Sequence, residues 1–316
     1  MSGPLLVDVH MHLYETKAVG EWWKAGYEIF EYGPKPDVHF SAFSGDVEDA
    51  VTAMAAAGYT HGVAVNLFSV DLFREEAVAG LPADLDPDAR RAAVAEIEAT
   101  MPDRLRRFNR WLLDALADVP QITPFVAVDP WALSPEENVE HLRETADRGA
   151  RGIKLHPVVQ RFAPDDPRMQ PVYQACQEMG LTVLSHTGSS KGGEAFAEPD
   201  SFAGVLRAFP RLTVLLAHLG GGRWRQTVDL AKAFPQVVFD LCEIIEWTGA
   251  PNAPTDHELA RMISEVGPDR VMLGTDFPWY DLDHTAQRVT DLPGLSPGEK
   301  EGILGANAAR ILGLPL

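Results

Sequence analysis

The chain has 316 residues, 46% of them hydrophobic, enough for one large buried core, and α/β barrels reach this length as a single domain. Its formal net charge of −19, from 46 acidic against 27 basic residues, argues against a surface for nucleic acid or anionic membrane, because both need a positive field. Cys176 and Cys242 lie far apart in no C-x-x-C pattern, so neither a disulfide framework nor a thiolate zinc site is indicated, and both read as small buried apolar residues.

The first strand signal is the apolar run Leu5–Val9, which leads into "DVHMH". Strand side chains alternate between faces, so His10 and His12 share one face about 7 Å apart, and two imidazoles on one face can close on one metal ion. An isolated H-x-H reads equally well as a surface pair, so partners elsewhere in the chain decide its meaning. Leu13–Asp46 follows, too long for a turn and carrying Trp22, Trp23, Tyr27, Phe30 and Tyr32. Such a segment is a lid or binding loop, and its rings suit either an apolar substrate pocket or a subunit contact in a homodimer. The second run, His61–Leu67, precedes Ser69–Asp103, which is acidic and includes a helix.

Further runs occur at Ile122–Val128, Gly152–Leu155, Thr182–His186, Thr213–His218, Val237–Leu241 and Val271–Asp276. Near-continuous apolar runs of this kind belong to strands buried on both faces of a parallel sheet. Helical signals lie between them. Ser134, Pro135 and Glu137 form a capping box with proline at the first helical position, and Gly149 stops that helix; Thr255, Glu258 and Gly267 repeat the logic. Eight strands alternating with helices predict a single-domain (β/α)8 TIM barrel over residues 1–316, with an aromatic-rich insertion after strand 1 and a helical insertion after strand 2. The amino terminus has no basic-then-apolar leader, and no stretch approaches the ~18 apolar residues of a membrane span, so a cytoplasmic protein without membrane contact is expected.

Partners for the histidine pair stand at the carboxyl ends of later strands, the rim where barrels build active sites. His156 ends "GIKLHP", His186 ends "TVLSHTG", His218 ends "TVLLAHLGGG" and Asp276 ends "VMLGTDFPW". With these motifs and the closing "EGILGANAARILGL", the sequence resembles the amidohydrolase superfamily, specifically its amidohydrolase-2 branch of aminocarboxymuconate-semialdehyde decarboxylase-like metal-dependent hydrolases and lyases. The resemblance covers nearly the whole chain. It implies that His10, His12, His186 and Asp276 bind one divalent metal and that His218 transfers protons or polarises the substrate.

Three neutral imidazoles and one carboxylate suit Zn2+, with Mn2+ as the alternative, and a metal-bound water reaches a pKa of about 7. Asp276 then serves both as ligand and as proton acceptor from that water, while His218 bonds the electrophilic oxygen or protonates a leaving group. Lys154 and His156 share a face of strand 4. In the preferred reading they face the substrate; in the alternative a carboxylated Lys154 bridges two ions, the second held by His186 and His218. Arg161, Arg223 and Arg225 are candidates for binding a substrate carboxylate by a two-bond fork, against a plain reading as solvated arginines. Gly220–Gly222 would let backbone approach a ligand closely.

The leading expectation is a metal-dependent hydrolase of an amide, lactone or ester-like bond in a small molecule. The alternative is a nonoxidative decarboxylase or hydratase, a lyase, with the same ion, using the arginines for the departing carboxylate and His218 as the acid. Fold does not choose between them. A non-enzymatic binding barrel is disfavoured because the whole ligand and acid/base set is present.

Overall fold

The computed structural model describes residues 5–26 and 30–314. Eight strands follow chain order: β1 Val7–His12, β2 His61–Val65, β3 Ile122–Ala127, β4 Gly152–Leu155, β5 Thr182–Ser185, β6 Val214–Leu216, β7 Val237–Asp240 and β8 Val271–Met272. They form one sheet in the order β1 to β8, each pair parallel. Val7, Val9, Val63, Leu184, Leu215, Val238 and Met272 meet in one cluster although they come from strands all round the sheet, so they fill the barrel beneath its active rim. The predicted (β/α)8 barrel is therefore the observed fold.

The seam between the last strand and the first departs most from the predicted elements. Regular pairing ends at Met272, four residues before the predicted end of β8 at Asp276, because the buried carboxylate of Asp8 takes up the backbone beyond it. Asp8 Oδ1 accepts from His10 N (2.9 Å) and Thr275 N (3.0 Å), and the Thr275 hydroxyl donates to Asp8 Oδ2. The barrel then closes through Val9 N to Leu273 O (3.0 Å), Asp276 N to His10 O (2.9 Å) and His12 N to Phe277 O (2.6 Å). The β1–β2 register shifts between Asp8 and Met11, a bulge beside His10, and bulges next to active sites re-aim side chains. β1 also runs on to His12, beyond the predicted Val9.

Both predicted capping boxes are present. Glu137 N donates to Ser134 Oγ (3.2 Å) while Ser134 N donates to Glu137 Oε2 (3.0 Å), and Thr255 and Glu258 exchange the same pair of bonds. The insertion after β1 contains a helix, Lys17–Ala25; that after β2 contains Val70–Ala79 and Pro87–Ala99, followed by Met101–Ala115. Tyr27 lies outside the described residues. Among the described residues no helix is long and apolar enough to cross a membrane.

The first insertion is fastened to the barrel by close backbone contact. Lys24 Nζ donates to the carbonyls of Ser41 and Phe43, both at 2.7 Å, and Gly20 is buried so tightly that a Cβ there would lie inside the Ser44 carbonyl oxygen. Gly20→Ala is therefore expected to destabilise the fold by about 1–3 kcal/mol, the usual cost of forcing atoms into a packed contact. Thermal unfolding of the variant beside the parent protein checks this: an unchanged Tm would show that the helix is free to move away.

Candidate active site

Three buried side chains converge at the carboxyl rim. His12 Nε2 lies 3.1 Å and His10 Nε2 3.5 Å from Asp276 Oδ1, and the donor atoms of this triplet lie close enough together to hold one metal ion. The Asp276 backbone sits in the left-handed region at φ 58°, where aspartate is among the better tolerated residues. Trp279 meets the His12 ring edge-on with centroids 5.1 Å apart. Burial holds both imidazoles below the ordinary histidine pKa, so they are neutral. Burial works against the Asp276 carboxylate, but its interactions with His10 and the hydrogen bond with His12 outweigh it and hold the group below the usual carboxylate range. Two neutral imidazoles and a carboxylate are the ligand states a divalent cation needs.

His186 faces this triplet without belonging to it. Its Nδ1 lies 3.0 Å from His218 Nε2, and its ring stacks on His156 with centroids 3.9 Å apart and an 11° angle. All of these groups line one cavity of about 130 Å³. The buried Lys154 ends there too, with Nζ 2.7 Å from His10 Nε2, and burial lowers its pKa. Lys154 thus reaches the lone pair that His10 would offer a metal, and His156 stacks on the neighbouring wall.

Behind His10 stands a buried group absent from the predicted set. His10 Nδ1 bonds Asp240 Oδ2 at 3.1 Å, which assigns the proton to Nδ1 and turns the Nε2 lone pair toward the site. Asp240 Oδ1 accepts from His218 N (2.8 Å), Cys242 N (3.2 Å) and the Cys242 thiol (2.9 Å). Cys242 is therefore more than apolar filling: its Sγ lies 3.1 Å from the Nδ1 atoms of both His10 and His218. Asp240 ends β7 just as His186 and Asp276 follow their strands, so the strand-end rule applied to "VVFDLCE" would have found it. Asp8 stands two residues before His10 and was open to the same reading.

β6 ends at Leu216, short of the predicted His218, because the chain turns through left-handed backbone at His218 (φ 61°), Leu219 (φ 46°) and Gly220 (φ 97°). The glycines that follow admit a protein side chain. Glu31, from the first insertion, accepts from Gly222 N, and a Cβ on Gly222 would meet its carboxylate. Burial, then the neighbouring Glu243 charge, pushes the Glu31 carboxyl up to about 7.

The predicted arginine fork does not form at the metal-lined cavity. Arg223 bonds Glu198 at 2.9 Å, and the Arg225 guanidinium lies 4.0 Å over the Trp224 ring. Arg161 is 55% exposed and pairs with Glu75 at 3.0 Å, on the edge of a neighbouring polar cleft. Positive charge just beyond a strand end carries no information about which way a long side chain turns, and nearby carboxylates took all but Arg225.

A family model described as amidohydrolase matches residues 7–314. The chain is 26% identical over 210 residues to 2-amino-3-carboxymuconate-6-semialdehyde decarboxylase of Dictyostelium discoideum, covering 57% of this chain and 58% of that one. It is likewise 26% identical over 212 residues to gamma-resorcylate decarboxylase of Rhodococcus jostii (strain RHA1), covering 62% and 55%. The chain thus spans somewhat over half the length of these curated relatives. Its fold superposes on dihydroxybenzoic acid decarboxylase from Polaromonas sp. JS666, solved with manganese and 2-nitroresorcinol, with a TM-score of 0.66 at 17% identity over 100% of this chain and 98% of that one.

These names overturn the leading expectation of a hydrolase, since both curated relatives are decarboxylases. The reason is physical: strand-end histidines and an aspartate encode how a metal is held, and a held metal serves bond hydrolysis and carbon dioxide release alike. The family match itself runs from the first barrel strand to the last helix, and the chain belongs to the amidohydrolase family.

Proposed function

We propose that this chain is a metal-dependent nonoxidative decarboxylase, a lyase, acting on a small carboxylic acid, with one ion held by His10, His12 and Asp276 and faced by His186. Zn2+ suits the nitrogen-rich donor set and Mn2+ is the alternative. The placement of His218 carries the reaction reading: it is a buried imidazole beside the metal triplet, its ring centroid 5.5 Å from that of His10, locked by its backbone to Asp240, with an Nδ1 contact to the Cys242 carbonyl at 3.3 Å. The decarboxylase names of both curated relatives support the same reading.

Decarboxylation leaves the electron pair of the broken C–C bond on the substrate carbon, and that carbon must take a proton as neutral carbon dioxide departs. His218 is placed to give it. Burial favours the neutral ring, but the carboxylates of Glu243, Asp276 and Asp240 outweigh it and raise the His218 pKa above the ordinary histidine value. Tyr14, Trp23 and Trp279 give the cavity an apolar aromatic wall. Asp240 keeps His10 in the tautomer whose Nε2 faces the site. A bound divalent ion would supply Lewis-acid polarisation of the substrate's oxygen atoms.

Incubating metal-loaded protein with aromatic and unsaturated acids is expected to release carbon dioxide; hydrolysis products without carbon dioxide would sink the reading. His218→Asn is expected to keep one equivalent of metal while turnover falls by roughly 10²–10⁴, the usual contribution of a positioned acid. If that variant loses metal as completely as His12→Ala does, His218 is a ligand and the proton-donor assignment fails. Asp240→Asn is expected to weaken metal retention about 10–100-fold, since an amide no longer fixes His10 as the carboxylate does. Chelator competition on the folded variant reads this, and unchanged retention would remove Asp240 from the metal's support.

A further inference from the structure

The metal-lined cavity, at about 130 Å³, has room for the reacting end of an acid and little more; sites for larger organic ligands typically run from about 300 Å³ upward. Beside it lies a cleft of about 490 Å³. Tyr14, Trp23 and Phe108 line both, so the cleft begins where the cavity ends. Its outer walls come from the two insertions and the helix that follows them: Trp22 from Lys17–Ala25, Phe73 from Val70–Ala79 and Arg104 from Met101–Ala115.

These walls are built of aromatic rings packed on one another. Tyr14 and Trp23 stack at 6.1 Å and 19°, Trp22 meets Trp23 edge-on at 5.3 Å, and Phe68 packs against Phe73 at 4.8 Å. Trp22 is 49% exposed, a large ring left open at the mouth of a cleft when the core could have taken it. The Arg104 guanidinium lies 5.2 Å over the Phe73 ring, is partly buried, and makes no ion pair among the described residues. Glu15 and Glu76 on the rim balance Arg104 and Arg107, so the cleft selects by ring contact more than by net charge. A second cleft, of about 580 Å³, also adjoins the cavity, at His156 and His186; Phe30 and Phe196 line it, but Glu31, Lys191 and Glu194 stand among them and Lys191 lies 5.4 Å over the Phe30 ring, so its wall is more polar than that of the first cleft.

We propose that the substrate is a two-ring acid: its reacting carboxyl end enters the metal-lined cavity, and its second aryl ring lies in the aromatic cleft between Trp22, Phe73 and Phe108. This rests on the reading of the metal site as one that acts on a carboxylic acid. A saturated chain would fill the same volume without the face and edge contacts that aromatic pairs gain beyond simple burial. Arg104 supplies a free N–H edge for an oxygen substituent on the second ring.

The test titrates metal-loaded protein with benzoate and with biphenyl-3- and biphenyl-4-carboxylate, by calorimetry and by tryptophan fluorescence. At least one biphenyl acid is expected to bind about tenfold or more tighter than benzoate, from burial of the second ring. Trp22→Ala, at a half-exposed position where the fold tolerates truncation, should shrink that advantage severalfold. Ala18→Trp, which fills the cleft from the exposed side of the helix, should abolish it without the same loss for benzoate. Equal affinities in the parent protein, or an advantage that survives Ala18→Trp, would overturn the proposal. A two-ring preference that responds to both variants, in a protein that releases carbon dioxide from no aromatic or unsaturated acid, supports the cleft and refutes the reaction. Carbon dioxide release from single-ring acids with no two-ring preference does the reverse.

Discussion

The Asp8 carboxylate is the constraint on which the rest of the site depends. It ties the backbone of His10 in β1 to that of Thr275 just after β8, and so holds together the two chain ends that a barrel must close. The same closure sets the distance between His10 and His12 on one side and Asp276 on the other, because Asp276 N bonds His10 O and His12 N bonds Phe277 O across the seam. Metal geometry and barrel closure are thus one set of hydrogen bonds. Burial pushes the Asp8 carboxyl up from 3.8 to about 7. An acid whose folded pKa lies above its unfolded value stabilises the fold most at low pH, and that share is lost as pH rises through about 7.

A second buried carboxylate, Asp240, organises the opposite half of the site by the same means. One oxygen holds His10, and the other gathers the His218 backbone and both the amide and thiol of Cys242. A candidate metal ligand and the proposed proton donor are therefore positioned by one side chain. Buried carboxylates are costly unless their lone pairs are filled. Here each accepts several hydrogen bonds, which offset part of the desolvation that raises both carboxyl pKa values, while the imidazoles gain fixed tautomers and orientations.

The barrel was legible in the sequence because eight apolar runs buried on both faces alternate with helices whose ends carry capping boxes, and those signals are local. His10, His12 and Asp276 were legible for a related reason: position at a strand end is fixed by pattern, and fold topology then brings the ends together. Asp8, Asp240 and Cys242 were missed although they sit in the same kind of position, because attention went to histidines and because a lone cysteine reads as packing. Where the arginines turn was not legible. Arg161 and Arg223 follow their strands at plausible places, but long flexible side chains settle on whichever carboxylate lies near, and Glu75 and Glu198 are distant in sequence.

The reaction was the least legible of all, for a reason that goes beyond this chain. The candidate metal ligands come from the strands, which are rigid and similar wherever a barrel closes, whereas the proposed substrate cleft is walled by the insertions after β1 and β2 and the helix that follows, and among the described residues Tyr14, Trp23 and Phe108 line both that cleft and the metal-lined cavity. Chemistry and specificity are therefore written in different parts of the chain. In the proposed reading the strand ends select a class of metal-assisted reactions, His218 and the carboxylates around it decide whether a proton can be delivered, and the insertion helices decide what body the reacting acid carries. Among the described residues no hydrogen bond to Asp8 or Asp240 comes from the Lys17–Ala25 helix, so a change confined to that helix can reshape the cleft it lines and leave both carboxylates' bonds in place.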